Sequence, residues 1–256
     1  MVYTRTSGEA RNGHVILVHG LGEHSRRHHR LINRLEKEGF RVHVFDWPGH
    51  GRSPGKRGDA SIEETLKIID YMVDNIDEEP FLFGHSLGGL TVLRYAEKNP
   101  GKIRGVISSS PALQRSKDMS PIAIKVLSVL SYLLPWVTVS NGIDINDLSR
   151  SEKAKQRYRR DSMVHDRISL RLAMDLFHNM DRVHEEKVRL EVPILILAGT
   201  ADKVTPIGGS ERFIAGLDVE DKELKTFQGA FHEIFNDPKW KVEFHDHILR
   251  WLDHRS

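Results

Sequence analysis

One stretch limits the fold of this 256-residue chain more than any other. The apolar run Phe81-Leu82-Phe83 passes directly into Gly84-His85-Ser86-Leu87-Gly88-Gly89, and a helix-like segment follows at once. A strand that turns so abruptly into a helix needs glycines where side chains would collide with the neighbouring strand and helix. The G-x-S-x-G spacing in this context also lifts the serine hydroxyl above the sheet edge on a strained backbone. Ser86 is therefore the expected nucleophile. The plainer alternative is a Gly/Ser turn in which Ser86 caps a helix; the strand before it and the helix after it favour the nucleophile.

The rest of the chain repeats the strand–helix rhythm. Apolar runs at 15–18, 40–45, 81–83, 103–107, 193–198 and 224–227 are short and rich in Val, Ile, Leu and Phe. They lack strict alternation, as strands buried on both faces do. Helical segments are expected at 25–38, 61–76, 86–99, 207–217 and 238–252. Ser61 and Glu64 form a capping box, and Asn99-Pro100-Gly101 is a helix stop. This alternation implies a doubly wound, mainly parallel sheet with ligands at the carboxyl ends of its strands. One connection is too long. About 80 residues separate the strand ending near Ser109 from the one starting at Pro193, against the dozen or so that a crossover requires. Residues 112–185 are expected to form a helical cap, inserted into a core made of 1–111 and 186–256. Within the cap, 122–134 and 167–180 look helical; Ile168, Leu172, Leu176 and Met180 recur every four residues.

Composition removes several function classes. The chain has no cysteine, which excludes disulfides, thiolate catalysis and zinc–thiolate sites. That suits a reducing compartment, and a cytoplasmic location is expected. A formal net charge of +2 gives no ground for nucleic acid as a partner. The first twelve residues are polar and charged, so no signal peptide is read there. The longest apolar stretch, 121–139, contains Lys125 and Pro135, which argues against a spanning helix.

A serine hydroxyl needs a general base. Of 15 histidines, His232 follows the last strand on a loop before the final helix, where a base can meet Ser86. His28, His29, His245, His247 and His254 fall in helical segments and read as surface residues, and His85 as structural. The base needs an acid to fix its tautomer. Asp202 lies just beyond the fifth strand, and Ser86, Asp202, His232 is the chain order of hydrolases of this architecture. Asp46 precedes the tight turn Trp47-Pro48-Gly49-His50-Gly51 and reads as structural; Asp118 is a more distant alternative acid. The oxyanion requires preorganised donors. The backbone N–H groups of Leu87 and Leu21 are expected to supply them, the latter from the loop His19-Gly20-Leu21-Gly22, which His19 ties down.

Five segments occur in order: His19-Gly20-Leu21-Gly22-Glu23-His24-Ser25, Asp46 to Ser53, Gly84 to Gly89, Gly199-Thr200-Ala201-Asp202-Lys203-Val204-Thr205-Pro206 and His232-Glu233-Ile234-Phe235-Asn236-Asp237. Together they resemble the monoacylglycerol lipase and lysophospholipase family of α/β-hydrolases, from about His14 to the C-terminus. The resemblance implies the α/β-hydrolase fold, hydrolysis of a monoacylglycerol or similar lipid ester, and no cofactor or metal. It supports the triad Ser86, Asp202 and His232 and the donors Leu21 and Leu87. It also places Glu23 and Arg27 near the polar end of the substrate; read from the residues alone, they equally form a local ion pair. The chain departs from the family's usual pattern at Leu87, where methionine is common, and at Ser162, where proline is. Its short N-terminus leaves room for only one early antiparallel strand. A lysophospholipid or a short ester is the alternative substrate, and a non-catalytic ligand-binding module is the alternative from another class.

The cap segment 122–136 is more apolar than packing one helix requires. It fits a lid that guides an acyl chain or touches a lipid surface, and also one packed on the core. The stretch 150–160 carries six cations and one anion, by default a solvated helix face. Oligomeric state is not legible.

Overall fold

The computed structural model describes residues 1–115 and 120–256; Asp118 lies outside them. In the first part run β1 (Thr4–Ser7), β2 (His14–Val18), α1 (His29–Lys37), β3 (Arg41–Phe45), α2 (Ile62–Asp74), β4 (Phe81–His85), α3 (Leu87–Lys98) and β5 (Gly105–Ser109). Then come α4 (Pro121–Leu133), β6 (Thr138–Ser140), α5 (Ile145–Leu148), α6 (Glu152–Arg160), β7 (Arg167–Ser169) and α7 (Leu170–Glu185). The chain closes with β8 (Ile194–Gly199), α8 (Gly208–Ala215), β9 (Lys222–Phe227) and α9 (Lys241–Asp253).

The main sheet has the order β1-β3-β2-β4-β5-β8-β9. Only β1 is antiparallel to its neighbour; the other pairings are parallel, with Val15 opposite both Val42 and Phe81, and Ile107 opposite both Phe83 and Leu195. Because strand side chains alternate between faces, the inner strands feed two cores. Ile16, Leu82, Val106 and Ile196 point to the side covered by α2, α3, α7 and α8. Val15, Leu17, Phe81, Phe83 and Leu195 point to the side covered by α1 and α9. This two-sided burial explains the unalternating apolar runs. Parallel strands also bring the carboxyl ends of β2, β4, β5, β8 and β9 to one edge of the sheet.

Local signals account for the helix starts. The Ser61 hydroxyl accepts from the Glu64 N–H at 3.1 Å, capping α2. Ser120, Ser151 and Ser169 cap α4, α6 and α7 in the same way. Two expected elements differ. The helix at 25–38 is a 3-10 turn, Ser25–His28, followed by α1. The helix at 167–180 starts later, because Arg167–Ser169 pairs as β7 with β6 in a small antiparallel sheet. Between β5 and β8, α7 buries Leu172, Ala173, Met180 and Val183 in the core. The neighbouring α4 buries no residue at all.

Candidate active site

Ser86 occupies the turn between β4 and α3 with φ of 57°, a left-handed conformation that costs a non-glycine residue energy. Its surroundings hold it there: the Ser86 N–H donates to Ser109 O at 2.9 Å, and the Ala112 N–H donates to Ser86 O at 3.2 Å. Glycine at 84 and 88 is a matter of room. A Cβ on Gly84 would lie 2.2 Å from Gly88 O, and one on Gly88 would lie 2.3 Å from Val18 O. The start of α3 thus packs directly against the end of β2.

His232 leaves the loop after β9 fully buried, and its Nδ1–H donates to Asp202 Oδ2 at 2.8 Å. This commits Nδ1 and leaves Nε2 as the basic nitrogen. Burial pushes the His232 pKa down, but the Asp202 charge and hydrogen bond, reinforced by Glu233 and Glu23, raise it overall above 6.5. Asp202 shows the mirror effect: burial raises its pKa, and His232 and Thr205 more than reverse this. Its Oδ1 accepts the N–H groups of Val204 and Thr205 at 2.8 and 2.9 Å, and its Oδ2 accepts the Thr205 hydroxyl at 2.8 Å. Ser86 and His232 line one small cavity with Gly20, Leu21, Glu23, Arg27, Tyr158 and Glu233.

The loop after β2 forms the other wall of that cavity. A Cβ on Gly20 would lie 3.1 Å from Ser86 Cβ, so the loop backbone touches the nucleophile. Neither the Leu21 nor the Leu87 N–H is engaged by a backbone acceptor among the described residues. His19 ties the loop down as expected: its Nδ1–H donates to Gly20 O at 2.8 Å, and its Nε2 accepts the Trp47 N–H at 3.0 Å. Asp46 is structural, accepting from the Ser25 N–H and hydroxyl and from the Arg52 N–H at 2.7 to 2.9 Å.

Glu23 and Arg27 are an ion pair, at 2.8 Å, and they also line the cavity. Glu23 does more than pair: its Oε1 accepts the Gly20 N–H at 2.7 Å and lies 3.1 Å from His28 Nε2. Burial opposes the Glu23 charge, yet His28 and Arg27 hold its pKa well below 4.5. Arg27 reaches further, to Glu233 Oε1 at 2.7 Å.

The surface reading of His28 and His245 is corrected: both are buried. The tighter 3-10 turn shifts the phase of residues 25–28, so His28 points inward against Phe83, His85 and Phe235. Burial pushes the His245 pKa to about 4. His85 is structural, its ring centroid 4.8 Å from that of His232. Three contributors went unread in the sequence. Ser110, at φ of 44°, donates its hydroxyl to His232 O at 2.8 Å. Thr205 contacts both Asp202 and Ser110 O, and Glu233 holds Arg27. The only sequence signal for Thr205 and Glu233 is closeness to Asp202 and His232; Ser110 had none beyond following a strand.

Comparison with known proteins bears on the family and the fold. A family model described as serine aminopeptidase, S33, matches residues 9–239. A crystal structure of the Paleococcus ferrophilus monoacylglycerol lipase superposes with a TM-score of 0.98 at 51% identity, covering 100% of both chains. The monoacylglycerol lipase of Mycolicibacterium smegmatis is 31% identical over 247 residues, 94% of this chain and 88% of that protein. An uncharacterized abhydrolase domain-containing protein of Dictyostelium discoideum is 32% identical over 246 residues, 94% of this chain but 26% of that longer one. The chain belongs to the monoacylglycerol lipase family of α/β-hydrolases.

Proposed function

We propose that the chain hydrolyses monoacylglycerols to glycerol and a fatty acid through an acyl-enzyme on Ser86. The observation that carries this is the His232–Asp202 hydrogen bond of 2.8 Å in a cavity shared with Ser86. His232 Nε2 takes the hydroxyl proton as Ser86 attacks the ester carbonyl. The oxyanion forms against the N–H groups of Leu21 and Leu87. His232, now protonated and held by Asp202, gives its proton to the departing glycerol oxygen. Water, deprotonated by the same nitrogen, then releases the fatty acid. Glu23, Arg27 and Glu233 make the polar side of the cavity, which suits a hydroxylated alcohol rather than an acyl chain.

In this reading residues 112–185 act as a lid over a core of 1–111 and 186–256. The cavity at Ser86 measures about 20 Å³, room for little more than a water. Ile143, Leu148 and Tyr158 of the lid close it, so they withdraw when substrate enters. No helix among the described residues is long and apolar enough to cross a membrane. The exposed face of α4 nonetheless presents Ile122, Val126, Val129, Tyr132 and Leu133 to the surroundings, with Trp136 beyond it. Exposed apolar surface of that extent marks an interaction site, and a transient contact with the lipid surface that holds the substrate explains it. The test is hydrolysis of a monoacylglycerol series by the wild-type protein and by Ser86→Ala. Fatty-acid release that survives in Ser86→Ala refutes the mechanism. A wild-type protein that cleaves only short aryl esters refutes the substrate.

A further inference from the structure

Next to the catalytic cavity, on its polar side, lies a separate cleft of about 470 Å³. That size falls within the roughly 300–1,000 Å³ of small-molecule sites. One wall is the turn Ser25–His28 and the start of α1; the other is α6 and the loop after it. Arg26 and Arg27 face it from the first wall, with His24 and His29, and Arg157 and Arg160 from the second. The cleft's acidic residue, Asp161, is already engaged by His24 Nε2 at 2.9 Å and by the Met163 N–H at 3.0 Å. Arg27 is paired with Glu23 and Glu233. Arg26, Arg157 and Arg160 are exposed, and none forms an ion pair with a carboxylate among the described residues.

Arginines at the end of α6 complement its dipole, which accounts for Arg157 and Arg160 but not for Arg26 arriving from another element. The two walls share one field. After desolvation of the ring, positive charge from Arg30, Arg157 and Arg26 lowers the pKa of His29. Bringing like charges together in a concave site costs energy that a bound anion recovers. Guanidinium groups present planar forks of N–H donors that match phosphate oxygens two at a time.

Position gives this cleft its use. Arg27 lies over the Tyr158 ring, its Cζ 4.6 Å from the centroid, and these two residues line both the cleft and the catalytic cavity. They form the partition between Ser86 and the arginines. On the monoacylglycerol reading, the alcohol of an ester cleaved at Ser86 leaves on this side. We propose that the cleft is a phosphate-binding subsite for a phosphate monoester dianion, carried on the glycerol of the substrate or free in solution. The substrate arm of this proposal rests on the monoacylglycerol reading; the anion site itself does not.

Two measurements separate the sources. In the first, Ser86→Ala protein is titrated calorimetrically with inorganic phosphate and with glycerol 3-phosphate, with and without the further changes Arg157→Gln and Arg160→Gln. Saturable binding that weakens roughly 10-fold or more in the variant, and weakens again with added salt, is expected. Arg26→Gln, from the opposite wall, produces the same direction of change. No binding of either anion, or equal binding by the arginine variants, overturns the proposal. In the second, kcat/KM is compared for 1-acylglycerol 3-phosphate and the matching monoacylglycerol. A ratio that falls about 10-fold or more in the Arg157→Gln, Arg160→Gln enzyme assigns the cleft to the substrate's head group. A ratio that does not move, with the titration positive, assigns it to free phosphate. If the wild-type enzyme cleaves neither substrate, the monoacylglycerol reading has failed, and the titration alone decides the cleft. Melting temperatures of all variants check that they are folded.

Discussion

Replacing Glu23 with glutamine separates a loop anchor from a residue that merely faces substrate. The carboxylate serves three donors: the Gly20 N–H and His28 Nε2 on Oε1 at 2.7 and 3.1 Å, and Arg27 Nη1 on Oε2 at 2.8 Å. Glutamine has one carbonyl oxygen and an amide group that cannot accept. Whichever way the amide turns, either Gly20 or Arg27 faces a donor instead of an acceptor. A buried donor left unsatisfied costs about 1–3 kcal/mol, more when it is charged. Breaking a buried ion pair costs about 3–5 kcal/mol, but Arg27 retains Glu233 at 2.7 Å. A loss near 3 kcal/mol follows, which for a chain of this size lowers Tm by roughly 6–12 °C. Gly20 touches Ser86, so its loop also sets the Leu21 N–H. Losing an oxyanion donor outright costs about 100- to 1000-fold, and a loosened one costs less, so kcat is expected to fall about 10- to 100-fold. Calorimetry and hydrolysis of a soluble short-chain ester measure the two effects; the short ester makes no use of the polar pocket. A variant with wild-type Tm and wild-type kcat on that ester would show that Glu23 does not hold the loop. Loss of activity confined to glycerol esters would assign it to substrate contact.

Other outcomes follow from the same geometry. Asp202→Asn removes the acceptor that fixes the His232 tautomer, and kcat is expected to fall about 10⁴-fold with fluorophosphonate labelling of Ser86 slowed in parallel. The catalytic form of His232 is neutral, so kcat/KM declines as pH falls through its raised folded pKa. Stability runs the other way for this group: its contribution is full below the unfolded value of 6.5 and is lost as pH rises through the folded one. Asp202, with its pKa lowered, contributes above its unfolded value of 3.8, and that contribution is lost as pH falls through the folded value. Urea titrations of wild type and Asp202→Asn between pH 3 and 9 test both signs. On α4, changing exposed Val126, Val129 and Tyr132 to serine leaves Tm unchanged. Half-burial of each in lipid is worth about 1 kcal/mol, so vesicle partitioning is expected to drop about 100-fold; unchanged co-sedimentation refutes the lipid contact.

Sequence patterns carried the sheet and the site unequally. Strands buried on both faces announce themselves by composition, and the pairing of Ile107 with Phe83 and Leu195 needs only that the runs lie side by side. Ser86 was legible because its turn demands glycines at 84 and 88 for backbone clearance. The histidines were less so. His28 and His245 lie in helical stretches whose facing depends on phase, and one 3-10 turn moved His28 from solvent to the core. The short strands β6 and β7 had no signal, since three residues pairing antiparallel across a long connection need no apolar pattern. For α4 the sequence shows an apolar helix but not which of its neighbours come close enough to cover it.

Ser110 shows why the triad's spacing in particular was unreadable. Two non-glycine residues have left-handed backbones among the described residues, Ser86 and Ser110, and they are joined through β5. The Ser86 N–H bonds to Ser109 O, and the Ser110 N–H bonds to Leu197 O at 2.7 Å on β8, the strand that leads to Asp202. Its hydroxyl then holds His232 O, while its carbonyl lies 3.0 Å from the Thr205 hydroxyl, whose single proton it shares with Asp202 Oδ2. One residue just past the end of β5 thus touches the nucleophile's turn, the acid's loop and the base's loop. Strain of this kind, about 1–3 kcal/mol per residue, persists only where several contacts over-determine it. Ser110→Gly relieves the backbone strain but removes the hydroxyl that holds His232, whereas Ser110→Ala removes the hydroxyl and keeps the strain. If the hydroxyl positions the base, both lose kcat by a similar factor, with Ser110→Ala also the less stable of the two. If the backbone conformation alone matters, Ser110→Gly keeps full activity, and the role assigned to the hydroxyl is wrong.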